Sequence, residues 1–502
     1  MTVRAAPTTR VDLAIPLRPP ALVAAAGPVD VVVPPQARAR TGAARTFLDV
    51  AVADHREVYG STTGFGALVG YRGRPDARDQ ADNALAHLGA GQGPSLDPAL
   101  VRATVLVRTA SLAQGASGVG PHVLDALVAM LGTSFAPVVP RWGSVGASGD
   151  LVPLAAVAGA LRGRGEAEVD GVRQPAHAAL LAAGLTPLEL DGRDALALVN
   201  GTSLTTAALA LALDGVQRSH RALVRLTCVL TDLLGCDPQF VDADLLARYA
   251  HPGAVVVGAR MRALLTGVVP SGTRALQEPY SIRCTPQLLG AALDALRYVE
   301  DVVAADLAGV SDNPLLFPEA DKVVHGGNFF GQPAAFASDL LAIVTAQLGN
   351  LAERQLDLLV DPARNGGLPP MLAAGPGRQH GLQGVQLAST ALVAELRRDA
   401  TPASMQSLPT NLHNQDVVPF GTQAALRALD GARTLTLLVG SLALGLRQSG
   451  HVGARPPTAT ATSDLLDALA ARVDAVDPDR PLEQDVRAAA AVVLSAEPEE
   501  QP

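Results

Sequence analysis

The sequence predicts a mainly α-helical protein: a long helical bundle with a smaller N-terminal lobe of short helices and loops. Three observations predict it. Hydrophobic residues make up 48% of the chain and aromatics only 3%, so Ala, Leu and Val must pack most of the core. Ala and Leu are strong helix formers. Apolar residues recur at steps of three and four over long stretches of the second half, the period of an amphipathic helix. Gly-rich loops, by contrast, punctuate the first part of the chain. With 502 residues the protein is long enough for a large core and for two or three lobes.

Residues 1–35 are Pro- and Ala-rich and interrupted by Arg, without the compact apolar centre of a signal peptide. They read as a loosely ordered leader. Residues 36–195 form the N-terminal lobe, and residues 196–502 the long-helix bundle with a C-terminal helical tail. Within the bundle a helix is expected over about 288–307. A second runs over about 333–360, where Leu341, Val344, Leu348, Leu351, Leu358 and Leu359 repeat at helical spacing. Pro333 suits its first turn, and Asp361-Pro362 ends it. A third covers about 422–449, with Gly450 in the C′ place. A bundle this rich in small residues can pack its helices closely and could bury a broad face against other subunits.

Bulk properties exclude some classes. The net charge of −9 is spread along the chain and no basic patch stands out, which disfavours nucleic-acid binding. Cys228, Cys236 and Cys284 are odd in number and lack metal-like spacing, which suits reduced thiols and a cytoplasmic location. No uninterrupted apolar run reaches the roughly 18–20 residues of a membrane span. No metal and no nucleotide are expected.

The chemistry concentrates at Ala147-Ser148-Gly149, inside Gly143-Ser144-Val145-Gly146-Ala147-Ser148-Gly149-Asp150-Leu151. If the Gly149 nitrogen attacks the Ala147 carbonyl carbon and two waters leave, a five-membered ring results. The Ser148 side chain becomes its exocyclic methylidene. Gly149 lacks a Cβ and can reach a carbonyl two residues back, while Ala147 is too small to block closure. Asp150 sits at a plausible helix N-cap with Pro153 in the first turn. The tripeptide therefore opens a helix whose positive end would polarise the ring oxygen.

The segment resembles the signature of the aromatic amino-acid ammonia-lyases and aminomutases, the histidine, phenylalanine and tyrosine ammonia-lyase family. There this tripeptide matures into 4-methylideneimidazol-5-one (MIO). Other segments carry the same resemblance in the family's order: Val58-Tyr59-Gly60-Ser61-Thr62-Thr63-Gly64-Phe65-Gly66, Asn200-Gly201-Thr202-Ser203, Pro279-Tyr280-Ser281-Ile282-Arg283, His325-Gly326-Gly327-Asn328-Phe329 and Asn414-Gln415-Asp416. The resemblance implies that Tyr59 is the base that removes the β proton. An unperturbed phenol titrates near ~10, so such a base needs a lowered pKa. Gly60, Gly64 and Gly66 suit a lid over the substrate. Arg283 would clamp the substrate carboxylate bidentately. Asn200 and Tyr280 would hydrogen-bond ring or substrate, and Phe329 would pack beside the ring, with Asn328 structural.

Family positions also speak to substrate. His87-Leu88 looks like the tyrosine-using members, whose histidine could pair a phenol hydroxyl; a histidine that merely caps a helix is the alternative. Gln415 stands where histidine ammonia-lyases carry a glutamate, and Asn411-Leu412-His413-Asn414 is unlike that branch. Gly66, His87, Leu88, Asn411 and Gln415 are the expected substrate-binding residues. The implied protein is an ammonia-lyase releasing trans-4-coumarate from L-tyrosine; a tyrosine 2,3-aminomutase and a phenylalanine ammonia-lyase are the rivals. A non-catalytic scaffold is disfavoured by the joint presence of Tyr59, the tripeptide and Arg283. The resemblance further implies a homotetramer with shared active sites, the tyrosine loop contributed across an interface.

Overall fold

The computed structural model describes residues 9–64, 66–71 and 76–495, so Phe65 of the tyrosine loop and residues 1–8 of the leader lie outside the described residues. Eighteen α-helices dominate among the described residues, and strands are confined to four sheets of two or three strands. The mainly α class is the one observed.

The chain divides into two compact units. The first gathers Met1–Leu211, Glu300–Asp339 and Pro402–Leu426; the second gathers Ala212–Val299, Leu340–Thr401 and Arg427–Pro502. The observed division therefore differs from a lobe that ends at residue 195. Each unit is assembled from three separated segments, and four of the five cuts fall inside the helices Ser203–Leu233, Thr285–Ala308, Gln332–Val360 and Gly421–His451.

In the first unit the expected loose leader is corrected. Thr9–Asp12 and Val29–Val32 pair as parallel strands around the short helix Pro19–Ala24. Val11, Leu22, Val29 and Val31 are buried, and Asp30 between two of them is exposed, the alternation of a strand with one face inward. Arg102, itself buried, ties this segment down. Its guanidinium donates to the carbonyls of Ala25 and Gly27 and to those of Leu131 and Phe135. A Pro- and Ala-rich background hid two four-residue strands whose pairing is tertiary.

The long helices fall close to where their apolar period puts them, at Thr285–Ala308, Gln332–Val360 and Gly421–His451. The last runs through Gly450, which was expected to end it; the left-handed residue comes later, at Gly453 with φ +99°. Two long helices lacked a prediction, Ser203–Leu233 and Gln383–Asp399. In the second unit small residues do allow close packing. A Cβ on Gly253 would stand 2.1 Å from the Gly290 carbonyl oxygen, and one on Gly290 would stand 2.3 Å from the Ala254 nitrogen. The helices Pro252–Leu264 and Thr285–Ala308 thus meet backbone to backbone. By length and composition Gln332–Val360 and Gly421–His451 could each cross a membrane. Their most apolar windows are 67% and 72% buried in the fold, as in core helices.

Candidate active site

A cavity of about 700 Å³ opens in the first unit, in the size range of small-molecule sites. Ser148, Tyr59, His87 and Leu88 line it, and so do Gly66, Asn200, Asn411 and Gln415. Residues far apart in sequence are brought together there.

The tripeptide is held in a tight, buried turn. Gly149 has φ +67° and lies against Gly201, where a Cβ would stand 2.3 Å from the Gly201 carbonyl oxygen. No other residue fits that place. The Asp150 N–H donates to the same oxygen at 2.7 Å. The Ser148 hydroxyl accepts a hydrogen bond from the Gln415 amide at 2.6 Å. Asp150 is the N-cap residue of the helix Leu151–Leu161, and its carbonyl accepts from the Leu154 N–H at 3.0 Å, but its side chain makes no capping bond there. Its carboxylate turns instead to the start of Ser203–Leu233. It accepts from the Thr205 N–H and the Thr205 hydroxyl, both at 2.9 Å, and from the hydroxyls of Ser144 at 2.9 Å and Thr422 at 2.7 Å. Burial pushes this carboxyl above the usual range, against the pull of those four donors. Asp150 thus ties the tripeptide loop to two other segments, at Thr205 and Thr422.

Tyr59 is half-buried. Its phenol oxygen accepts from the Gly66 N–H at 2.7 Å, and its own N–H donates to His325 Nε2 at 3.2 Å. Burial pushes the phenol up, and the Gly66 donor only partly offsets it. The lowered pKa that a base needs is therefore not supplied by these contacts. Asn200 ends the helix Gly192–Val199 at the cavity wall, 3% exposed, with its amide oxygen unpartnered. A buried acceptor left so costs about 1–3 kcal/mol, which a bound donor would recover.

His87 fits both of its readings. It is the C-cap residue of Ala77–Ala86, and its Nδ1 meets the Asn83 carbonyl at 2.9 Å. A carbonyl only accepts, so Nδ1 carries the proton and Nε2 of the neutral ring is an acceptor. The same helix also presents Gln80, Asn83 and Ala84 to the cavity. None of these three was predicted as a site residue, yet their helical spacing from His87 was a legible signal. Tyr71 is another lining residue that was missed, and nothing local marked it.

Tyr280, Arg283 and Phe329 do not line the cavity. Tyr280 and Arg283 belong to the second unit, where the Arg283 guanidinium stacks 4.7 Å from the Tyr280 ring and its Nε donates to the Glu278 carbonyl at 2.9 Å. Glu278 is held in turn by Arg274, whose Nε donates to it at 2.8 Å. Tyr59 lines the cavity of its own chain, where Gly66 folds back onto its phenol and Ala67 bonds to Asn411.

By its family the chain is a carbon–nitrogen lyase. The family model of aromatic amino acid lyases matches residues 17–472, and the chain belongs to that family. It is 38% identical to a tyrosine ammonia-lyase of Cereibacter sphaeroides, over 94% of this chain and 95% of that one. It is 37% identical to a histidine ammonia-lyase of Roseobacter denitrificans, over 92% and 91%. Among solved structures, the tyrosine aminomutase from Streptomyces globisporus superposes with a TM-score of 0.89 at 31% identity, covering 97% of each chain.

Proposed function

We propose that this enzyme is a tyrosine ammonia-lyase that releases trans-4-coumarate and ammonia from L-tyrosine, using an MIO group matured from Ala147, Ser148 and Gly149. The observation that carries the reading is the single cavity that brings Ser148, Tyr59 and His87 together. The residues fit the group. Gly149 occupies a place with no room for a Cβ, Gln415 holds the Ser148 hydroxyl, and Asn200 offers an unpartnered amide oxygen beside them. Once formed, the group supplies an electrophile for the substrate amine.

The chain's own residues do the rest. Tyr59 takes the β proton. Its phenol, raised by burial, needs a positive potential from outside these contacts, and a neighbouring subunit can bring one. Arg283 is the natural source: its fork binds the substrate carboxylate beside the base. Tyr280 and Phe329 arrive in the same way, so the working unit is a homotetramer with shared sites. His87 Nε2 accepts from the substrate phenol and so favours a substrate that carries that hydroxyl. Neutral Gln415 gives an imidazole substrate no charge to meet. The three cysteines carry no disulfide, which accords with a cytoplasmic location.

The likeness to a tyrosine aminomutase structure favours one second reading, a 2,3-aminomutase giving β-tyrosine. The test is turnover by purified enzyme. L-Tyrosine yields a conjugated arylacrylate, seen by ultraviolet absorbance, far faster than L-phenylalanine or L-histidine is consumed, and Ser148→Ala abolishes this. Accumulating β-tyrosine selects the mutase, and equal turnover of the three amino acids removes His87 as the selector.

A further inference from the structure

We propose that Asn411 is a positioning residue for Tyr59: a strained left-handed turn holds its side-chain amide against Gly66 and Ala67, and so aims the Gly66 N–H at the phenol oxygen. This rests on the reading of Tyr59 as the base and adds the element that sets it.

The turn is unusual. Asn411, Leu412 and His413 have φ of +55°, +55° and +61°, three consecutive residues other than glycine in the left-handed region. Each costs roughly 1–2 kcal/mol relative to a right-handed conformation, though less for Asn. Such strain persists only where the surroundings enforce it, and such places are often functional. Burial of the apex is not what enforces it, since Leu412 is 85% exposed. The turn is closed instead at its base, where the Thr410 N–H donates to the Gln415 carbonyl at 3.0 Å.

Closing it there delivers two side chains to one cavity. Gln415 reaches the Ser148 hydroxyl, and Asn411 Oδ1 accepts from the Ala67 N–H at 3.3 Å. Gly66 completes the fit. It has φ +57°, and a Cβ on it would stand 2.2 Å from Asn411 Nδ2. The amide therefore packs directly on the glycine whose N–H bonds to the phenol at 2.7 Å. One strained turn thus positions both the nucleus of the electrophile and the base. Gly66 pulls the Tyr59 pKa down, and losing that alignment lets it rise. Among the described residues, titratable groups about this region include His325, which accepts the Tyr59 N–H, His87 and Tyr71 on the cavity wall, and His413 in the turn itself.

The test is the pH dependence of kcat/KM for L-tyrosine with the full-length enzyme. Asn411→Gly keeps the left-handed backbone accessible and removes the amide. Its rising limb should move up by about one pH unit, with turnover about tenfold lower at a fixed pH below the limb. Gly66→Ala disturbs the same contact from the other side and should move the limb in the same direction. Leu412→Gly relaxes the turn without touching Gly66 or Ala67 and should leave the limb in place. An unmoved limb in Asn411→Gly, or an equal movement in Leu412→Gly, overturns the proposal. Tyr59→Phe separates the two levels: if it retains turnover, Tyr59 is not the base and both readings fall.

Discussion

Gly149 shows how a missing Cβ admits chemistry. The sequence marked it as the attacking nitrogen of a cyclisation, and the structure adds that its turn is pressed onto Gly201. Gly149→Ala is therefore expected to block maturation. The intact mass of wild-type protein should fall two waters below the sequence mass, and that of the variant should not; a variant that still loses both waters would show that the Gly201 contact does not govern the turn. Ser148, Tyr59 and Asn200 were legible because short motifs carry them. Asp150 was legible only in part. Its place before a helix is written in the chain, but two partners of its carboxylate, Thr205 and Thr422, come from distant segments. Likewise the strain at Asn411, Leu412 and His413 has no composition signal, since none of the three is a glycine.

At the scale of elements, apolar period located three of the long helices, because a buried stripe at 3.6 residues is a local property. Their ends were less legible: Gly450 reads as a stop, yet packing carries the helix past it. The two strands of the leader escaped because four residues hold too little pattern and their pairing joins separate segments. A helix–helix contact in the second unit makes a further prediction. His220, on Ser203–Leu233, is 1% exposed, and its Nε2 donates to the Leu289 carbonyl at 2.8 Å. Burial pushes its pKa down to about 4 from 6.5. The folded state thus prefers the neutral ring, so its contribution is complete above the unfolded pKa and is lost as pH falls through 4. That difference amounts to about 3 kcal/mol. His220→Gln keeps a donor and removes the titration. Denaturant unfolding between pH 7 and pH 4 should show a correspondingly flatter stability curve for the variant; parallel curves would mean that His220 is already charged in the fold.

At the scale of the whole molecule, the cavity is incomplete by the family's pattern, since Tyr280, Arg283 and Phe329 do not line it. If neighbouring subunits supply them, two inactive variants should complement each other. Co-expressed Ser148→Ala and Arg283→Ala chains should regain a fraction of wild-type turnover, because some mixed sites hold an intact tripeptide from one chain and an intact arginine from another. No recovery, with mixed oligomers verified by mass, would place Arg283 in its own chain's site. The sequence by itself determined the helical class, the family, the tripeptide proposed to mature and the residue types such chemistry needs. These follow from local propensity and from motifs whose members are neighbours in the chain. Only the tertiary structure decided that Tyr59 lines one cavity with Ser148, that the Asp150 carboxylate bonds to the start of a distant helix, and that a left-handed turn at Asn411 reaches Gly66. Each is a contact between segments far apart in sequence, and no local pattern encodes which of the possible partners will meet.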